Sequence, residues 1–177
     1  MNELTPIDTH GVLTEPATLK IQRFLPGPVE RVWDYLTKSE LRRQWLAAGD
    51  MTLEVGAPFE LVWRNDALTD SPGQRPAGAS DEHRLEGRIT EIDPPRSLSI
   101  SWGNTGGVSF TLEPRGEKVL LTLVHRRLPD RPTLLNVSAG WHAHLDILVA
   151  RATGREPGPF WDAWTRLKAE YDQRLPE

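Results

Sequence analysis

Histidine is the first residue type to consider for chemistry, because an imidazole changes its charge near neutral pH. His125 ends the alternating run of residues 119–125, which predicts a strand with one buried face. On that face His125 could orient a ligand or move a proton. The alternative is a structural histidine that is hydrogen-bonded near the rim of a sheet, and we favour this alternative.

His142, His144 and Asp146 raise the question of a metal site. Residues two apart on a helix point to opposite sides, so the two histidines cannot share one ion. His142 and Asp146, four apart, could share an ion, but no spacing elsewhere supplies the further ligands. We therefore expect no metal site and no cofactor.

Covalent and acid–base catalysis have little support in the motifs. The chain has neither a Gly-x-Ser-x-Gly elbow nor a glycine-rich phosphate loop. Asp81 and Glu82 are expected to be solvated surface charges, and Arg126-Arg127 a solvated strand end rather than an anion site. We assign no catalytic residue and favour a protein that is not an enzyme.

Composition excludes several classes of protein. The 177 residues carry a net charge of −4, with 38% hydrophobic residues, which is typical of one globular domain. The acidic balance argues against nucleic-acid binding, and no apolar run is long enough to span a membrane. There is no cysteine, and the first ten residues do not resemble a secretory signal; both agree with a cytoplasmic protein. Seven tryptophans outnumber four phenylalanines and two tyrosines.

The elements that must position these residues follow from periodicity. A strand at residues 17–24 precedes a helix opened by Gly27-Pro28 and a second short helix from Ser39 to Trp45. Period-two alternation then predicts a meander of five antiparallel strands. These strands lie at residues 59–63, 83–92, 98–102, 108–112 and 119–125. A long helix over 138–153 and a last helix opened by Gly158-Pro159 complete the chain.

Three parts of the chain are expected to differ in organisation. Residues 1–16 are predicted to be a flexible tail, residues 17–154 the domain, and residues 155–177 a helical extension. Within the domain, Asn65 to Glu82 is long, irregular and rich in Gly, Pro and Ser, which predicts either a lid or disorder. The apolar stripe of the last helix predicts packing on the domain or a homodimer interface.

Several segments together resemble a known family. They are Pro28–Trp33, Gly87–Ile89, Asp93–Arg96, Leu121–His125 and Gly140-Trp141. In this order and spacing, over residues 17–152, the chain resembles the stand-alone bacterial members of the activator-of-Hsp90-ATPase homologue family. That family lies in the START-like superfamily, also called SRPBCC or birch-pollen-allergen-like.

The resemblance implies an α+β helix-grip fold. In this fold a curved antiparallel sheet wraps around a long C-terminal helix, and two short helices follow the first strand. Here an extra terminal helix is added. The space between sheet and helix is implied to be a cavity for an apolar small molecule, although fold alone is weak support for a function.

Side chains expected to face that space come from the sheet and from the long helix. They are Trp63, Trp102, Phe110, Leu112, Leu121, Leu123, His125, Trp141, Leu145 and Leu148. Protein interiors are close-packed, so these side chains could instead simply fill the core. Tryptophan combines a large ring with one N–H donor, which suits a partly polar pocket.

Three functions remain open from the sequence. The first is non-enzymatic binding of an apolar or aromatic small molecule, lipid-like or a metabolite. The second is a co-chaperone module, linked to the stress response, that stimulates the ATPase of heat shock protein 90. The third is a cyclase or hydratase in which His125 serves as acid or base.

Overall fold

Seven strands and four helices make up the described part of the chain. The computed structural model describes residues 9–15, 17–77, 82–102 and 106–175. The strands are β1 Val12–Glu15, β2 Thr18–Pro26, β3 Pro58–Trp63, β4 His83–Asp93, β5 Ser97–Trp102, β6 Gly106–Arg115 and β7 Lys118–Arg126. The helices are α1 Val29–Thr37, α2 Ser39–Arg42, α3 Arg131–Thr153 and α4 Phe160–Arg174. None of the helices described is long and apolar enough to cross a membrane.

The strands form one antiparallel sheet in the order β1-β2-β7-β6-β5-β4-β3. Period-two alternation places every second side chain on one face, as with Leu123, which pairs with Ile21 on one side and Phe110 on the other. These three side chains are at most 4% exposed. The sheet curves around α3, so the α+β helix-grip fold is confirmed.

Helix α3 is buried on nearly every side. Its 23 residues include 13 buried ones, which no single apolar stripe could provide. The sheet covers one side, and α4 packs against another. The helix begins at Arg131 rather than at residue 138, because the Asp130 carboxylate accepts from the Thr133 N–H and forms an N-cap. The predicted helix was therefore too short.

The N-terminal segment differs from the predicted flexible tail. Residues 12–15 were expected to lie in a flexible tail, but they form β1 and pair with β2. The Gly11 N–H also donates to the Tyr171 hydroxyl, 2.6 Å away, which ties this segment to α4. Residues 1–8 and 16 lie outside the described residues. The domain boundaries at 154 and 155 stay predictions.

Helix α4 is attached to the body of the domain by its apolar face. Phe160, Leu167 and Tyr171 are each at most 2% exposed. Trp164, on the same stripe, is only partly buried. The stripe is therefore mostly covered within the chain, and one tryptophan remains accessible at its edge.

Arg42 fixes the turn that follows the two short helices. Arg42 is 2% exposed, and its guanidinium donates to the carbonyls of Leu36, Thr37, Ala47 and Gly49. Burial lowers the pKa of Arg42 to about 10. The turn also needs a glycine at 49, because its φ is 138° and a Cβ there would collide with the Glu60 carbonyl.

Replacing Arg42 tests this role. Arg42→Met leaves up to four carbonyls without their donor, and each such loss costs about 1–3 kcal/mol when the group is buried. We expect the free energy of unfolding, measured in urea, to fall by about 3 kcal/mol or more. Arg43→Met is the matched control: this neighbouring side chain is exposed, and its loss should change stability by about 0.5 kcal/mol or less. Equal effects of the two substitutions would contradict the assignment.

Candidate binding cleft

Five of the seven tryptophans line one open cleft of about 720 Å³. They are Trp63, Trp102, Trp141, Trp161 and Trp164. The cleft lies at the first half of α3, between the ends of β3 and β5 on one side and the first turns of α4 on the other. We call it the tryptophan cleft.

One wall is a row of aromatic rings that crosses from the sheet to α3. Trp63 ends β3 and Trp102 ends β5, and their ring centroids are 5.5 Å apart. Trp102 is followed by Trp141 of α3 at 5.4 Å, and His83 lies 5.6 Å from Trp63 on the other side. These separations are typical of attractive aromatic pairs, so the row forms a cohesive surface.

The opposite wall is built by the start of α4. Phe160 and Trp161 have ring centroids 4.9 Å apart, and Trp164 follows at 5.8 Å from Trp161. The Trp161 indole N–H donates to Asp66 over 2.6 Å, which fixes that ring. The Lys168 ammonium lies 5.3 Å from the Trp164 ring, a cation–π contact at the edge of the cleft.

His125 orients Trp141 from behind the aromatic row. It is 1% exposed, and its Nδ1 accepts from the Trp141 indole N–H over 3.0 Å. The proton of the neutral imidazole is therefore on Nε2. Burial lowers the pKa of His125 to about 4, so the ring is uncharged at neutral pH. This geometry is that of a structural group that positions an indole.

His144 lines the cleft itself. Its Nδ1 lies 2.9 Å from the Trp45 carbonyl, and because a carbonyl only accepts, Nδ1 carries the proton. Nε2 is then an acceptor in the neutral ring. Burial lowers the pKa of His144 to about 4, and the bond to Trp45 opposes this only in part. The sequence analysis considered His144 only in the question of a metal site, so its place in the cleft was missed.

Asn65 adds a second polar atom to the cleft. Its side-chain oxygen is buried and has no hydrogen-bond partner among the residues described here. An unpaired buried acceptor is costly, and because the protein covers this oxygen, a ligand that donates a hydrogen bond would recover free energy there only if the Asn65 side chain turned toward the cleft. The sequence marked Asn65 as the start of an irregular segment and offered no signal of a polar contact.

The residues predicted for the cavity occupy three different places. Trp63, Trp102 and Trp141 line the cleft. His125 and Phe110 lie behind Trp141. The five leucines are core residues with exposures of 2% or less, and they are Leu112, Leu121, Leu123, Leu145 and Leu148.

The deep space between sheet and helix is almost completely filled. The internal space beside Phe110, Trp102 and Trp141 amounts to about 10 Å³, barely enough for one water molecule. The open volume therefore lies at the mouth, toward α4. Ligand contact by the five buried leucines stays a prediction.

The irregular segment after β3 is partly anchored to α4. The Trp161 N–H donates to the Pro72 carbonyl, and the Gln74 N–H donates to the Asp162 carboxylate, both over 2.9 Å. Pro76 and Ala77 reach the rim of the cleft. Residues 78–81, including Asp81, lie outside the described residues, and a lid role for the segment stays a prediction.

His142 and Asp146, the pair considered for a metal site, form other contacts in the structure. His142 Nε2 lies 3.4 Å from Asp146, but the Asp146 carboxylate also accepts from the buried Arg23 guanidinium over 2.9 Å. A cationic partner already occupies this carboxylate. In the part of the chain that the structure describes, no group of three or more His, Cys, Asp or Glu could hold a metal ion.

Comparison with known proteins assigns the chain to a family. The profile of the family described as Activator of Hsp90 ATPase homolog 1-like protein matches residues 26–153. The chain belongs to this family. The match begins at the end of β2 and ends with α3, so α4 is the one element described as lining the cleft that lies outside it.

Solved structures of similar proteins extend over nearly the whole chain. The solution structure of the protein encoded by gene BPP1335 from Bordetella parapertussis is 37% identical, covers 96% of this chain and 92% of its own, and has a TM-score of 0.79. The crystal structure of CalU16 from Micromonospora echinospora is 24% identical, with 93% of each chain covered and a TM-score of 0.66, and therefore shows the fold alone. No curated protein sequence matches the chain.

Stability should depend on pH through the buried histidines. Burial lowers the pKa values of His125 and His144 to about 4 and that of His142 to about 3, against 6.5 in the unfolded chain. The unfolded chain therefore binds more protons below pH 6.5. We expect the free energy of unfolding to be nearly constant above about pH 7.5, to fall as the pH drops through 6.5, and to fall most steeply toward pH 4.5, by up to about 1.4 kcal/mol per pH unit for each histidine.

Urea unfolding at intervals of half a pH unit measures this slope. Carboxylates with ordinary or lowered pKa values contribute mainly below about pH 4.5, so the window above that value reports the histidines. A profile that stays flat from pH 6.5 to 4.5 would show that these three rings are not held uncharged by burial.

Proposed function

We propose that the protein binds an aromatic small molecule in the tryptophan cleft and does not transform it. The observation that carries this proposal is the convergence of five tryptophans and Phe160 on one open space of about 720 Å³. That volume lies within the range of small-molecule sites, about 300–1,000 Å³. Membership of the family is compatible with a small-molecule ligand.

The chemistry of the walls favours a planar ring over an aliphatic chain. Aromatic pairs gain about 0.5–1.5 kcal/mol beyond the burial of their area, and both walls offer ring faces and edges. The polar groups are few: the His144 Nε2 accepts a hydrogen bond, and the covered Asn65 oxygen would be a second acceptor if its side chain turned toward the cleft. A ring that carries a hydroxyl or an N–H donor would match this pattern.

Catalysis by His125 has little support from the geometry. Its Nδ1 is occupied by the Trp141 indole, and its pKa of about 4 keeps it uncharged at neutral pH. A cyclase or hydratase would need a positioned acid or base at the bound ring. We therefore retain binding as the function, and we infer from the absence of cysteine that it takes place in the cytoplasm.

Two further proposals, which concern protein partners, have weaker support than small-molecule binding. The description of the family names an activator of the Hsp90 ATPase, which supports a co-chaperone role only by analogy. An ATPase assay with heat shock protein 90 tests this role. A homodimer through α4 is disfavoured, because most of the apolar stripe of that helix is buried within the chain.

Gly140 offers a direct test of the cleft. It lines the cleft on α3, and a Cβ added there would have only the Trp164 indole nitrogen within 4 Å, at 4.0 Å. Gly140→Ala should fold normally, stabilise α3 by about 0.5–1 kcal/mol and still bind 2-naphthol. Gly140→Leu projects a longer side chain into the space and should weaken 2-naphthol binding at least tenfold.

Isothermal titration of the three proteins with 2-naphthol measures these affinities, and circular dichroism verifies that each variant is folded. Decanoate is the aliphatic comparison. Equal affinities of Gly140→Ala and Gly140→Leu would contradict binding in the cleft. Tighter binding of decanoate than of 2-naphthol to the native chain would contradict the preference for an aromatic ring.

A further inference from the structure

We propose that the protein has a second binding site, for a compact anion bearing phosphoryl groups, in a groove lined by four arginines. The groove has a volume of about 580 Å³, and the arginines are Arg43, Arg64, Arg84 and Arg151. We call it the arginine groove. Leu46 lines both this groove and the tryptophan cleft, so the two sites are adjacent.

Four separate elements bring the arginines together. Arg43 follows α2, Arg64 follows β3, Arg84 lies in β4 and Arg151 lies in the last turn of α3. Successive side chains at the end of β3 point to opposite faces, and this separates the two sites. Trp63 lines the cleft, whereas Val62 and Arg64 line the groove. The convergence is therefore a product of the fold and not of a basic run in the sequence.

The groove carries an excess of positive charge. None of its lining residues is acidic. Glu82 and Glu60 compensate part of the charge, since Arg64 pairs with Glu82 over 3.1 Å and Arg84 pairs with Glu60 over 2.8 Å. Within the described ranges, neither of the two remaining arginines forms an ion pair with a carboxylate.

One of the arginines is held in place by the backbone. The Arg151 guanidinium donates to the Leu68 carbonyl over 2.7 Å and to the Gln44 carbonyl over 3.4 Å. Both carbonyls belong to residues that line the groove, so these bonds hold the positive charge of Arg151 in the groove without neutralising it. Arg43 is exposed and free to close on a bound anion.

Like charges gathered in a concavity repel one another, and a bound anion relieves that repulsion. The planar guanidinium fork matches the oxygens of a phosphoryl group in pairs, which favours such a ligand. The concave shape suits a small molecule better than an extended polymer. The net charge of −4 also disfavours nucleic acid.

Titration with inorganic pyrophosphate at constant ionic strength, followed by ¹H–¹⁵N NMR, tests the proposal. We expect saturable one-to-one binding with shifts at the backbone amides of Ala47, Ala48 and Gly49. Arg43→Glu should weaken it at least tenfold, and Arg43→Lys less. Arg115→Glu, which makes the same charge change at an exposed position in β6, should change affinity by less than twofold.

Other outcomes would overturn the proposal. Shifts that grow linearly without saturation would indicate ionic screening alone, and equal weakening by Arg43→Glu and Arg115→Glu would indicate an effect of net charge. Citrate binding more tightly than pyrophosphate would exclude a phosphoryl ligand. Because pyrophosphate is titrated without 2-naphthol, failure here leaves the proposal for the tryptophan cleft intact, and the reverse also holds.

Discussion

The structure depends on the need to cover α3 on almost every side. A helix with 13 buried residues out of 23 must be enclosed, and no single partner can do so. The curved sheet encloses one side and α4 a second. The tryptophan cleft lies at the first half of the helix, between the sheet and α4. Gly140 lines it there and, having no side chain, leaves the space open. The binding space is thus a consequence of how a largely buried helix is enclosed.

Polar side chains of the body hold the rings that form the walls of that space in fixed positions. His125 holds the Trp141 indole, and Asp66 holds the Trp161 indole. Each is a single hydrogen bond between side chains that are distant in sequence. Arg42 holds the turn that brings Trp45 and Leu46 to the interior. A cleft with oriented rings is better prepared for a planar ligand than a collapsible apolar space, because less ordering is required on binding.

Patterning in the sequence predicts most of the fold and part of the site. Period-two alternation locates the strands of the sheet from β2 onward, because one face of each is buried. Alternation misses β1, whose residues are mostly exposed. Helical periodicity misses the first turns of α3, which depend on the Asp130 cap. Alternation in the strands and periodicity in the long helix together place Trp63, Trp102 and Trp141 around one space, since all three lie on predicted inward faces.

The remainder of the cleft could not be predicted from patterning. Trp161 and Trp164 reach it only because α4 docks on α3, and Asn65 only because the segment after β3 folds back toward α4. The filled interior behind Trp141 depends on side-chain packing to within a few cubic ångströms, which no periodicity encodes. The arginine groove has the same origin: its four charges meet through tertiary contacts alone.

The tryptophans themselves allow the central claim to be tested in one experiment. ¹⁹F NMR of the chain labelled with 5-fluorotryptophan should give seven resonances, assigned by single Trp→Phe substitutions. With 2-naphthol, the five cleft tryptophans should shift saturably with one common Kd. Trp33 and Trp45, buried outside the cleft, should stay unchanged. Shifts of Trp33 or Trp45 equal to those of the cleft residues, or no saturable shift at all, would contradict the account.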